Sequence, residues 1–398
     1  MIHLKLKAFR PLYFRANLSE VVSPPYDTIS PEQSRELLSR EYNIFHLSKQ
    51  NSREDAENLF RKWIESGIIK KMDHEVLIVL SQEFPSTGVA SARLGVIGIV
   101  DSQQVSGEII PHEDTFEKAV IERRDLMLAL ESQVEPIFLA VESTALDRVL
   151  KHTIRDKTPY GVFEEPSGVL NRVFCIENPD EIRSITASVS QTRAIVADGH
   201  HRLKATREIY SMPNQDREFW KYSLSYVTSL YNDSLFISGI HRILNTGLKK
   251  NEVLEKISRD FIISDMNTYT EDGNIWIFDG HYCRLVPRTP MDIPPPEIIK
   301  DIILHRDLGM NLNEMENSVT YQYSVADAVA AAEKTGGIAI LAPNWNKVEF
   351  MKTLEKGNLL PQKSTYFYPK IPSGIGIYSN IGQEIGLSLA NKLENPER

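Results

Sequence analysis

Ile195-Val-Ala-Asp-Gly-His-His-Arg202, continuing as Leu203-Lys-Ala-Thr-Arg-Glu-Ile-Tyr210, is the stretch around which the chain is organised. The apolar run Ala194 to Ala197 predicts a buried strand, and Asp198-Gly199 breaks it. Leu203, Ala205 or Thr206, and Ile209 or Tyr210 then recur at helical spacing, so a helix is predicted from about His200. A strand that turns through glycine into a helix aims free backbone N–H groups and the positive end of the helix dipole at one spot. Gly199 lets the backbone approach a ligand closely, and Arg202 offers a planar fork suited to phosphate or carboxylate. Asp-Gly is also a common turn, and first-turn histidines are often only caps. Four polar groups within the five residues 198–202, directly after a buried strand, favour an anion site.

At 398 residues the chain is long enough for two domains, and 41% hydrophobic with 25% charged residues is ordinary for a soluble globular protein. A formal net charge of −9 argues against a protein that coats nucleic acid, because duplex binding needs a phosphate-neutralising surface. Cys175 and Cys283 are the two cysteines, far apart, so neither a disulfide framework nor a cysteine zinc site is expected. The N-terminus alternates apolar and basic residues, without a signal-peptide core. No stretch approaches the roughly 18 apolar residues of a membrane helix. These features predict a cytoplasmic protein without a membrane or nucleic-acid partner.

Further stretches carry chemistry. Ser23-Pro-Pro-Tyr-Asp27 holds a hydroxyl, a phenol and a carboxylate on a segment stiffened by two prolines. Ser30-Pro31 with Gln33 reads as a capping box opening a helix to about Arg40. Helical spacing from Arg53 to Ser66 puts Ala56, Phe60 and Trp63 on one face, and two strands at 75–84 and 93–101 form a hairpin. His112, Glu113, Asp114 and Thr115 fall just before a helix that runs to Leu130. Asp114 or Thr115 could simply cap that helix. Alternatively Glu113 or His112 is a general base beside Lys118 and Arg123, cations that would hold phosphate charge. His241-Arg242 lies inside a strand-like run, where a salt-bridged structural pair is the simpler reading. Lys363, Ser364 and Thr365 sit in a loop before an aromatic run and could bind an anion, although no glycine-rich Walker loop precedes them. The pattern changes after about residue 245, giving expected domains at 1–245 and 246–398.

Taken together, Val22-Ser-Pro-Pro-Tyr-Asp27, His112-Glu-x-Thr115 with Lys118 and Arg123, Pro136-Ile-Phe138, Ala197-Asp-Gly-His-His-Arg202, His241-Arg242 and Pro361-Gln-Lys-Ser-Thr-Tyr-Phe-Tyr-Pro-Lys370 resemble the family called domain of unknown function 1015. The resemblance runs over almost the whole chain. It departs at Glu122, where the family usually has Asp, and at Ser238-Gly-Ile-His-Arg242, where it has a Pro-Thr-His-Arg type motif. Locally, Asp198-Gly-His-His-Arg202 resembles the phosphate-binding loop of the ParB and sulfiredoxin superfamily, and within it the free serine kinases.

These resemblances imply a mixed α/β fold with a ParB/sulfiredoxin-like core and a second, smaller α/β domain. They imply a kinase that uses ATP or ADP with Mg²⁺ to phosphorylate a small hydroxyl compound such as free serine. In that scheme Gly199, His201 and Arg202, with Lys118 and Arg123, hold the nucleotide phosphates. Asp198 and Asp27 hold Mg²⁺. Glu113 or His112, with Asp198 and His200, do the chemistry, and Ser23, Tyr26, Asp27, Lys363, Ser364 and Thr365 line the substrate side. Two other functions fit the same residues: a metal-dependent phosphatase with Asp198, His200 and His201 as ligands, or a nucleotide-binding regulatory protein without turnover.

Overall fold

The computed structural model describes residues 4–86, 89–103, 108–245, 247–357 and 359–381. The chain divides into two compact units. The first holds residues 1–111, 115–235 and 369–398; the second holds 112–114 and 236–368. Residue 245, where the composition shifts, lies inside the second unit.

In the first unit the long apolar runs become the centre of a mixed sheet. Its strands are β1 (Leu6–Lys7), β2 (Leu77–Ser86), β3 (Val89–Asp101), β4 (Ile109–Ile110), β5 (Ile137–Val141), β6 (Gly161–Glu164), β7 (Leu170–Ile176), β8 (Ala194–Asp198) and β9 (Tyr222–Ser229). They hydrogen-bond in the order β4-β8-β5-β9-β3-β2-β7-β6, with β1 added to β3. All residues of β5 and β9 are buried, as expected of strands covered on both faces. Strand β9 runs parallel to β5 and antiparallel to β3, while β8 runs antiparallel to β5.

The helices begin where the local chemistry says they should. Helix α1 (Pro31–Ser39) opens on the predicted capping box, with Gln33 N donating to Ser30 Oγ at 3.2 Å and Ser30 N donating to Gln33 Oε1 at 2.9 Å. Helix α2 (Arg53–Glu65) buries Ala56, Phe60 and Trp63. Further on come α3 (Glu117–Leu130), α4 (Leu146–Ile154), α5 (Pro179–Val189, capped by Asn178) and α6 (His200–Ser211). Leu146 and Leu150 of α4, Ile185 and Val189 of α5 and Leu203 of α6 join Val79, Val96, Leu139, Val196 and Val227 in one core. That packing fixes the direction in which β8 hands the chain to α6.

The second unit is also mixed α/β. Strands β10 (Phe236–Ser238) and β17 (Tyr366–Tyr368) pair antiparallel with each other. A separate sheet has the order β12-β14-β13-β16-β11-β15, built from β11 (His241–Leu244), β12 (Phe261–Met266), β13 (Ile275–Phe278), β14 (Tyr282–Pro287), β15 (Val319–Gln322) and β16 (Ile338–Leu341). This unit also holds helices α7 (Lys250–Ile257), α8 (Val325–Thr335) and α9 (Lys347–Glu355), and Ile298–Asp307 is wound wider, as a π-helix. Val253, Ile257, Ile277, Leu285, Ile303 and Ile340 form this unit's core. Among the described residues no helix is long and apolar enough to cross a membrane.

His241, placed on β11 by the apolar run around it, is buried, and its Nδ1 accepts the Ala342 N–H at 3.2 Å. Burial, then the Arg242 charge, pushes its pKa down from 6.5 to about 4. The unfolded chain therefore takes up a proton that the folded chain refuses between those values. Stability contributed by neutral His241 is complete above about pH 6.5 and falls as the pH drops towards 4, by up to about 3 kcal/mol at 1.36 kcal/mol per pH unit. Urea unfolding at stepped pH should show this slope, and His241→Asn, whose Oδ1 can take over the Ala342 bond, should flatten it. An unchanged slope in the variant would locate the acid sensitivity elsewhere.

Candidate functional site

The strand-to-helix turn is as the residues predict, and its geometry demands glycine twice over. The pairing of β8 with β5 slips between Val196 and Asp198, and Gly199 follows in the left-handed region at φ 91°. A Cβ at Gly199 would lie 2.8 Å from Ile137 Cγ2 and 3.2 Å from the Arg202 guanidinium. Helix α6 begins at once, with Leu203 N donating to Gly199 O at 2.9 Å. No side chain caps its first turn and no acidic residue stands within that turn, while the Asp198 carboxylate lies just before it.

Asp198 is the electrostatic centre of this turn. Its Oδ2 accepts from Arg202 Nη2 at 2.5 Å, and its Oδ1 pairs with Lys370 Nζ. Burial alone would raise the Asp198 pKa. Lys370 and Arg202, then His200, overturn that and hold the carboxyl well below the usual range. Arg202 is turned inward: Nη1 donates to Pro136 O at 2.5 Å, and Nε faces Glu135 Oε2 at 3.8 Å. The fork that the sequence offers to phosphate is thus engaged with protein oxygens and shapes the loop. Both oxygens of Asp198 carry cations, which makes it a poor ligand for Mg²⁺, and the Asp27 side chain lies outside the described residues. Among the described residues no group of three or more His, Cys, Asp and Glu side chains is placed to hold a metal.

His200 is half-buried on the first turn, within electrostatic reach of Asp198. His201 Nε2 accepts the Phe116 N–H at 3.1 Å, which assigns its proton to Nδ1, and its ring stacks on Phe116. Phe116 is also the residue from which α3 starts, without any side-chain cap, so neither Asp114 nor Thr115 caps that helix. Lys118 is exposed on the first turn of α3. Arg123, one turn further in, is buried and lies 3.7 Å from the centre of the Tyr26 ring. Arg123, Glu135 and Arg202 line one cleft of the first unit.

His112 and Glu113 belong to the second unit, where they meet the Lys363–Thr365 loop. Glu113 Oε1 accepts from Ser364 N at 3.2 Å, Thr365 N at 3.0 Å and Thr365 Oγ1 at 2.9 Å. His112 Nε2 lies 2.7 Å from Thr365 Oγ1, and the His112 ring packs edge-on against Phe350 and Phe367. Arg242 donates to Ile240 O at 2.6 Å and to Lys363 O at 3.3 Å, and burial pushes its pKa down to about 10. Lys363 adopts φ 57°, a conformation that costs a non-glycine residue about 1–2 kcal/mol. Ser364 Oγ donates to Pro361 O, so that hydroxyl helps shape the turn.

Ser23 is buried on a backbone bridge to Ser373 and lines a different cleft with Arg40 and Glu165. Two residues around Asp198 escaped the sequence reading. Lys370 closes the quoted run Pro361–Lys370, whose final lysine was a signal left unused. Glu135 stands next to the quoted Pro136-Ile-Phe138, but nothing local marks an acid there for pairing with a residue on α6.

The family model described as protein of unknown function (DUF1015) matches residues 6–321. No curated protein matches the chain. Among solved structures, a conserved hypothetical protein from Pyrococcus furiosus is similar over 70% of this chain and 94% of its own, at 14% identity and TM-score 0.39. A free serine kinase in complex with AMP is similar over 68% of this chain and 86% of its own, at 13% identity and TM-score 0.39. C-terminally truncated SbnI from Staphylococcus aureus is similar over 75% of this chain and 94% of its own, at 10% identity and TM-score 0.37.

The turn geometry makes a sharp forecast for Gly199→Ala. The left-handed conformation alone costs alanine about 1–2 kcal/mol, and the overlap with Ile137 adds to it. Thermal denaturation should show a loss of at least about 2 kcal/mol. A variant as stable as the wild type would mean the turn can be made without a positive φ.

Proposed function

The chain belongs to the DUF1015 family, and from that premise we propose that it binds a nucleotide through its phosphates and transfers phosphate to a small hydroxyl compound, free serine being one acceptor to test. The observation that carries this reading is the Gly199 turn. It opens α6 with a first turn that has no side-chain cap and no acidic residue of its own, with His200 on it and the cation-bound carboxylate of Asp198 just before it.

The backbone N–H groups at the start of α6 would hold phosphate oxygens. The proposed roles of His201 and Arg202 are then those of shaping residues: Arg202 orients Asp198 and the loop, and His201 ties α6 to Phe116. Lys118 remains a proposed phosphate-side cation. Glu113 is proposed as the general base that takes the hydroxyl proton, with His112 held against Thr365 as its neighbour. Phosphoryl transfer asks mainly for positioning and charge stabilisation, and a rigid turn with preset donors supplies that. No step is derived through Mg²⁺, because the cations on Asp198 do not leave a fitting site for it there; in the assay Mg²⁺ accompanies the nucleotide.

The test is turnover of ATP and of ADP, each with Mg²⁺, against a pool of hydroxylated amino acids and hydroxy acids that includes serine. Acceptor-dependent phosphate transfer is expected. Arg202→Ala should weaken nucleotide binding, whereas Glu113→Gln should leave binding within a few-fold and lower turnover by about 10²–10⁴. Full turnover in Glu113→Gln would remove Glu113 as the base. Nucleotide binding without turnover would replace the kinase by a regulatory nucleotide-binding protein.

A further inference from the structure

Arg123 presents a problem that the phosphate site does not solve. It is 7% exposed, yet its Nε and Nη1 atoms have no hydrogen-bond partner. No carboxylate lies within salt-bridge distance of it among the described residues. The Tyr26 ring covers the face of the guanidinium at 3.7 Å, and a cation–π contact leaves the in-plane N–H groups unused. A buried cation with open donors is costly unless something fills them.

Arg123 lines a cleft with Met127, Ser132, Gln133, Glu135 and Arg202, with a free volume of about 20 Å³. That is room for one or two water-sized atoms. Two of the lining polar groups are already committed. Gln133 donates to Tyr222 O at 2.9 Å and accepts from Leu224 N at 2.8 Å, and Ser132 Oγ bonds Ser379 Oγ at 2.7 Å. Glu135, nine-tenths buried, faces Arg202 at only 3.8 Å, a distance beyond a hydrogen bond. The wall of the cleft therefore carries a cation with two unpartnered donors and, close by, an acidic acceptor.

We propose that this cleft is a subsite for a small carboxylate, the acid end of an α-hydroxy or α-amino acid. The carboxylate sits on Arg123, and the neighbouring hydroxyl or ammonium donates to Glu135. A phosphate brings a second negative charge towards Glu135, which a carboxylate with a neighbouring hydroxyl or ammonium does not. The site stands on its own geometry. Only its identification with the acceptor of phosphoryl transfer rests on the function proposed above.

The test is calorimetric or NMR-detected binding to the full chain without nucleotide. The probes are glycolate and glycine, with glycinamide and inorganic phosphate as controls. Saturable binding of glycolate or glycine is expected, with glycinamide and phosphate at least tenfold weaker. Arg123→Gln should weaken the carboxylate about tenfold to a hundredfold, the loss of a charge-assisted pair. Should Arg123→Gln fail to fold, Glu135→Gln and the ligand series on the wild type decide: the amide must lose binding, and Glu135→Gln must weaken glycine more than glycolate. Phosphate binding as tightly as glycolate, or no binding of either carboxylate, overturns the proposal. Carboxylate binding in a protein that shows no nucleotide turnover would uphold the subsite and reject the kinase.

Discussion

The ion pairs of Asp198 are the constraint on which the first unit's site depends. A carboxylate at the end of a buried strand is costly unless cations meet it, and here two do, Arg202 from one turn further along and Lys370 from far along the chain. Arg202 in turn is fixed by Pro136 O and Glu135 at the mouth of β5. The strand end, the left-handed glycine and the first turn of α6 are thus held in one geometry by a network that would lose its balance if any member were neutralised. Backbone donors at a helix start act on an anion only if they stay put, and this network keeps them there.

The same network explains why charge at the site is more specific than a basic patch. Arg202 and Lys370 are balanced by Asp198 and Glu135 together, so what α6 offers an anion is mainly directional N–H groups and the dipole. Arg123 is a different kind of cation: buried, stacked on Tyr26, with donors to spare. In the function proposed above, the first unit carries two arrangements for negative groups, one built from backbone and one from a side chain. A phosphotransferase has use for both, one for the donor's phosphates and one for the acceptor's acid end. The second unit binds its own loop through Glu113, whose one oxygen gathers the Ser364 and Thr365 donors. That clamp sets the Lys363 turn whatever chemistry Glu113 performs.

What was legible in the sequence was local. The capping box at Ser30–Gln33 and the glycine-led start of α6 both follow from neighbours within a few residues. What was not legible depends on distant partners. The Arg202 fork looks open to a ligand until Asp198, four residues back, and Pro136 O, just before β5, are seen to fill it. Asp114 and Thr115 look like caps, but α3 starts from Phe116, whose N–H goes to His201. Lys370 has no local pattern that links it to Asp198, and the placement of residues 112–114 with the second unit follows from contacts to residues some 250 positions away. Spacing rules see a helix or a turn; they do not see which remote charge completes it.

The most direct measurement is a crystal structure of the protein soaked or co-crystallised with ADP. A phosphate oxygen within about 3 Å of the backbone N–H groups that open α6, with the Asp198–Arg202 pair intact, is the predicted result. ADP bound elsewhere with its phosphates away from the Gly199 turn, or no ADP bound at millimolar concentration, would contradict the proposal that this turn is the phosphate site.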